Sequence, residues 1–166
     1  MSKWKKKTDP VVLTVNSSEA GKEDLAYISG EAFKALSEMA RIYSSVRDKS
    51  IKMKINELMR ITDKIAQDAA DDPTDIPQIK RFFNYYLPTT IKLLNAYDRM
   101  SSQGIDGENI DKSLNSIDEM LDKAIIAYKK RLDTLFANQA LDIETDIAVM
   151  NTLLEREGLT DINDFT

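Results

Sequence analysis

Apolar residues recur at three- and four-residue steps along most of this chain, and that spacing constrains the fold more than any other feature. From Leu25 the stripe runs Ile28, Ala32, Leu36, Met39, Ile42 and Val46. After a basic stretch it resumes as Ile51, Ile55, Leu58, Ile61, Ile65 and Ala69. One face of a helix repeats every 3.6 residues, so the spacing predicts helix A over about residues 20–70. The step from Val46 to Ile51 is five residues, which breaks the phase and allows a bend or a change of packing partner there. Ser17 and Ser18 are candidate caps, with Glu19, Glu23 and Asp24 favourable near a helix N-terminus. Asp71, Asp72 and Pro73 end helix A.

Helix B opens with Asp75 as cap and Gln78 three residues later, an acidic capping box, with Pro77 tolerated in the first turn. Its stripe is Ile79, Phe83, Tyr86, Thr90, Leu93, Tyr97 and Met100, while Phe82, Leu87, Ile91 and Leu94 form a second apolar face. Pro88 removes one intrahelical hydrogen bond, so a kink is expected at that point. Gly104 and Gly107 mark a turn. Helix C follows as Ile110, Leu114, Ile117, Leu121, Ile125, Tyr128 and Leu132. The pattern continues in phase through Phe136, Ala140, Ile143, Ile147, Met150 and Leu154, with a weak spot at residues 138–142 where Asp142 offers an alternative cap. Gly158 is placed as the residue that ends the helix, with Leu159 after it.

The fold class expected is therefore all-α: an elongated antiparallel three-helix bundle, coiled-coil-like, with two long helices and a shorter kinked middle one. Each long helix would span roughly 70 Å if straight, at 1.5 Å per residue. The domain reading is an N-terminal arm at 1–17, one helical bundle domain at 18–159 and a tail at 160–166. The short run Val11–Val15 has no strand partner elsewhere, so the arm is read as flexible or loosely docked.

Composition narrows the chemistry. The 166 residues include no Cys and no His, which removes thiolate nucleophiles, the commonest general base and the commonest metal ligand. No stretch approaches the roughly 18 apolar residues of a membrane span, so a cytoplasmic chain without membrane attachment is expected. Charge is unevenly placed. Residues 1–54 carry 11 basic and 7 acidic side chains, and residues 103–166 carry 6 and 14. The net charge of −5 disfavours a nucleic-acid partner. Neither phosphate-cradling glycine motif occurs, and Asp142, Glu144 and Asp146 do not share one helix face. No metal, cofactor or catalytic residue is assigned. One constellation points to a ligand: Lys80, Arg81, Tyr85 and Tyr86 put two cations beside two phenols near the start of helix B, where an oxyanion would be favoured. The competing reading makes Phe82, Phe83 and Tyr86 core and the two cations ordinary surface charges.

The same stretch carries a resemblance. Arg81-Phe82-Phe83-Asn84-Tyr85-Tyr86-Leu87-Pro88-Thr89-Thr90, with Tyr97 beyond it, resembles the signature of the XpaC-type family of 5-bromo-4-chloroindolyl phosphate hydrolysis proteins. Residues 118–136, Asp142–Ile147 and Leu153–Leu159 are also similar to that family, so the likeness covers about residues 45–160. The resemblance implies a link to toxic-anion (tellurite) resistance and a protein partner of the TelA type, while the uneven charge and the uncovered far ends of helices A and C allow a second copy of the chain as partner. Two functions follow as expectations. The first is a non-enzymatic helical interaction or scaffold protein. The second is a phosphoesterase acting on indolyl phosphomonoesters, with Lys80 and Arg81 holding phosphate and Tyr85 or Tyr86 donating a proton.

Overall fold

The computed structural model describes the backbone of residues 2–160 and the side chains of residues 21–160. Helix dominates, and no strand occurs among the described residues. The elements in order are α1 (Ser2–Ser45), α2 (Lys49–Asp71), a 3₁₀ turn (Pro73–Asp75), α3 (Ile76–Arg81), a π turn (Phe82–Tyr86), α4 (Leu87–Ser101), α5 (Glu108–Leu135) and α6 (Ala137–Arg156). The all-helical expectation holds. Two compact units are formed, Met1–Lys130 and Arg131–Thr166. Their boundary falls inside the 18–159 span read as one domain.

Neither of the two long helices runs through, which corrects the three-helix architecture. Helix A breaks at residues 46–48. There Asp48 leaves the helical region (φ −66°, ψ 120°) and its carboxylate accepts the Ile51 backbone N–H at 3.1 Å, starting α2 afresh. The five-residue step between Val46 and Ile51 is thus a hairpin. Both residues remain buried, because the turn lets each helix present its own stripe to the other. Helix C breaks at Phe136, which has φ −90° and ψ 2°. That point lies two residues ahead of the expected weak spot. At the other end α1 begins at Ser2, so the backbone of residues 2–17 continues the helix expected to start near Ser17 or Ser18. The side chains of that arm, and residues 161–166 of the tail, lie outside the described residues.

The core of the first unit comes from the predicted stripes. Ile28, Met39, Ile42, Ile51, Ile55, Leu58, Ile61 and Ile65 are all within 2% of complete burial. Tyr27 lies against Asn84 and Ser45 donates to Asp98 at 2.6 Å, so α1 and the α3–α4 segment run in the same direction. Against α1, α2 runs back, as its three-residue turn from α1 requires. Lys54 on α2 pairs with Asp118 and with Asp122, the latter at 2.9 Å, and ties α5 to the group. In the second unit, α6 ends as foreseen. Gly158 takes φ +68°, and the N–H groups of Gly158 and Leu159 donate to the carbonyls of Glu155 (3.1 Å) and Leu154 (2.8 Å). Those two bonds are the paired closure of a glycine-ended helix.

Candidate functional site

Pro88 organises the region that carries the aromatic string. With no N–H and a ring that crowds the carbonyl four residues back, proline cannot continue a regular α-helix through residue 84. The chain answers with one π turn over Phe82–Tyr86, in which the Leu87 N–H reaches the Phe82 carbonyl. Such a turn inserts one extra residue into the helical register. The expected kink therefore takes the form of a phase shift. Ile79 and Phe83 lie on the buried face, but the face continues through Leu87, Thr90, Leu94 and Tyr97. Tyr86, which the unshifted stripe placed in the core, is half exposed at 50%, and Tyr85 is 69% exposed.

The four candidate residues are not gathered into one cradle. Lys80 donates to Asp24 at 3.0 Å and stands 5.8 Å from the centre of the Tyr27 ring. Arg81 is exposed and forms no ion pair among the described residues. The backbone amides around them are spent inside the helix, since the Phe82 N–H already serves Gln78 and Ile79. The helix itself starts earlier, behind the Asp72-capped turn, so Lys80 and Arg81 sit beyond its first amides. The capping box at Asp75 is not formed either. Asp75 makes no capping bond, and Asp72 takes that role by accepting the Thr74 N–H at 3.2 Å.

Tyr85 and Tyr86 instead border a different feature, a groove of about 300 Å³ between α4 and α5. Tyr86, Thr89 and Leu93 line one wall. Met120, Ala124 and Ala127 line the other, where the two alanines leave the space that larger side chains would fill. At its floor Tyr128 is 3% exposed and donates to Thr90 Oγ1 at 2.6 Å, while the Thr90 hydroxyl donates to the Tyr86 carbonyl at 2.9 Å. The relay satisfies both buried hydroxyls, and the Phe82 ring packs edge-on to Tyr128 at 4.6 Å. Burial pushes the Tyr128 phenol up to about 12, so it stays protonated and acts as a fixed donor. Lys123 at the rim is the one charged side chain lining this groove.

A second polar feature lies where α2 meets α3. Asp68 and Asp75 are each 5% exposed, and one carboxylate oxygen of each has no hydrogen-bond partner. Burial, then the hydrogen bond and charge of Asp75, push the Asp68 carboxyl up to about 7. Among the described residues no three ligating side chains converge on a metal position. The buried Asp68 carboxyl beside Asp75 is a structural feature of this corner.

Sequence reasoning missed the groove, Lys123, the Thr90–Tyr128 relay and the Asp68–Asp75 pair. The two apolar faces of helix B, offset by one residue across Pro88, were the available sign of the phase shift. No comparable sign marked the aspartates, whose pairing depends on the turn between α2 and α3.

Comparison with known families matches residues 4–150 to the 5-bromo-4-chloroindolyl phosphate hydrolysis proteins. No curated protein and no solved structure matches. Among the described residues no helix is long and apolar enough to cross a membrane.

Proposed function

Since the chain belongs to the 5-bromo-4-chloroindolyl phosphate hydrolysis protein family, we propose that it works as a non-enzymatic helical interaction protein, with α6 as its docking helix. One observation carries this reading. None of the 20 residues of α6 is buried, although the helix displays Leu141, Ile143, Ile147, Val149, Met150 and Leu153 at 48–66% exposure. A water-facing helix ordinarily keeps its apolar residues against a neighbour, and an uncovered set of this size is characteristic of an interaction surface. A cytoplasmic role in toxic-anion resistance beside a TelA-type protein is part of the same proposal. The test is affinity capture from the protein's own cell lysate with native chain and with the triple variant Ile143→Ser, Ile147→Ser, Met150→Ser. Recovery of a partner by the native chain and its loss in the variant is the expected result. Identical recovery by both would overturn the assignment of α6.

The family description supports a second reading, hydrolysis of an indolyl phosphomonoester. Arg81 would hold the phosphate and Tyr85 or Tyr86 would donate a proton, all three being exposed on one short stretch of helix. Lys80 would have to leave Asp24 to take part. Release of the indolyl group by purified protein, abolished in Arg81→Ala, supports this reading. Turnover unchanged by that substitution removes it.

A further inference from the structure

The docking role of α6 can be taken one step further, to the surface that receives it. We infer that α6 of one copy docks into the α4–α5 groove of a second copy. This inference rests on the interaction reading above and names the partner.

Charge and shape carry it. On α6, Ile143, Ile147, Met150 and Leu154 follow one another at steps of 4, 3 and 4 and form a single stripe. At 100° per residue, Asp146 borders that stripe on one side and Glu144 on the other. Residues 137–156 hold four carboxylates and one cation, Arg156. The groove is the opposite in character. Its walls are apolar, its two alanines leave room for side chains from outside, and its one charged residue, Lys123, is exposed and has no ion pair among the described residues. Tyr85, Tyr86 and Met120 stand around the mouth at 69%, 50% and 45% exposure, and tyrosine and methionine are residue types enriched in interface centres. Along the end of the π turn and the start of α4 the groove covers residues 85–93, about 12 Å of helix at 1.5 Å per residue. That length accommodates two successive anchors such as Ile147 and Met150, which lie about 4.5 Å apart along α6 by the same rise.

The alternative of α6 lying against α6 is disfavoured, because it would bring together two surfaces that each carry an excess of three negative charges. Exchange of α6 between two copies instead places acid over Lys123 twice. It closes as a two-fold pair in which each copy gives one helix and receives one.

Sedimentation equilibrium of the full chain, from micromolar to millimolar protein, tests the exchange. The native chain is expected to dimerise. Ile147→Asp, which spoils the donated helix, and Ala127→Glu, which puts a carboxylate into the groove, should each sediment as monomers. Both positions are exposed, so circular dichroism should confirm an unchanged helix content in each. An equimolar mixture of the two variants retains one intact helix and one intact groove. It should form a dimer at least tenfold weaker than the native one, but one that neither variant forms alone. A native chain that stays monomeric at millimolar concentration overturns the inference, as do variants that dimerise like native protein or a mixture that stays monomeric. A monomeric native chain that nonetheless captures another protein through α6 leaves the interaction reading standing, and loss of both removes both.

Discussion

Replacing Asp68 by Asn should flatten the pH dependence of this protein's stability between pH 5 and pH 8. Asp68 is 5% exposed in the C-terminal part of α2, and its neighbour across the turn, Asp75, is equally buried. Folding raises the Asp68 carboxyl from 3.8 to about 7. A group whose folded value is raised holds its proton more tightly when folded. Its stabilising contribution is therefore complete below the unfolded value and is lost as pH climbs through the folded one. At 1.36 kcal/mol per pH unit while the folded state alone holds the proton, the ceiling across the series is on the order of 2–3 kcal/mol. The nearness of Asp68 to solvent lowers this to about 2 kcal/mol. The window is unusually clean, because the chain has no His, while Glu57 is pushed down to about 2 and Tyr128 up to about 12. Urea unfolding followed by far-ultraviolet circular dichroism at pH 5, 6, 7 and 8 reads the effect. The native chain should lose about 2 kcal/mol across the series and Asp68→Asn less than about 0.5, leaving the variant the more stable protein at pH 8. Parallel slopes for the two proteins would refute the reasoning.

Three further outcomes are expected. Thr90→Val leaves the buried Tyr128 hydroxyl without its 2.6 Å acceptor; it should cost about 1–3 kcal/mol by urea unfolding, and much less when combined with Tyr128→Phe, because the relay is then removed whole. Leu58→Ala, at a fully buried position, should cost about 2–5 kcal/mol, whereas Ile147→Ala on α6, 48% exposed, should change thermal stability by less than about 0.5 kcal/mol in dilute protein. Glu57→Gln removes a carboxylate held down chiefly by the Arg60 hydrogen bond, then by Lys129 at 3.2 Å; the pairs are exposed, so a cost below about 1 kcal/mol at pH 7 is expected, vanishing as pH falls from 4.5 toward 2.

Much of this architecture was legible because one rule, the helical repeat of apolar residues, governs nearly every element. Ile51 through Ala69 was read as one stripe and is buried as one stripe, and Gly158 ends α6 with the bonds its position announced. The failures share a physical origin in events that alter phase without altering composition. The three residues between Ser45 and Lys49 turn a long helix into a hairpin, because the Asp48 side chain satisfies an amide that a continuous helix would have satisfied with backbone. The π turn ahead of Pro88 shifts the helical phase, which leaves Tyr86 half exposed and brings Leu87 into the core, while Thr90 and Tyr97 stay buried. The candidate site suffered most from this. Lys80 and Arg81 were placed near a helix start, but they close α3 behind the 3₁₀ turn, and Asp24, distant in sequence, already holds the Lys80 ammonium. The groove between α4 and α5 depends on where two helices meet, which no local spacing encodes.

The central claim, that α6 is a helix made to be covered by a partner surface, is tested most directly by amide hydrogen exchange across residues 137–156. In dilute monomer an uncovered 20-residue helix should exchange close to the rate of an isolated helix, far faster than the buried α2 segment from Ile51 to Ile65. On association, with a second copy or with a captured protein, the amides of Ile143–Met150 should gain at least tenfold protection while α2 stays unchanged. Strong protection of α6 already present in dilute monomer, or none gained on association, would contradict the account.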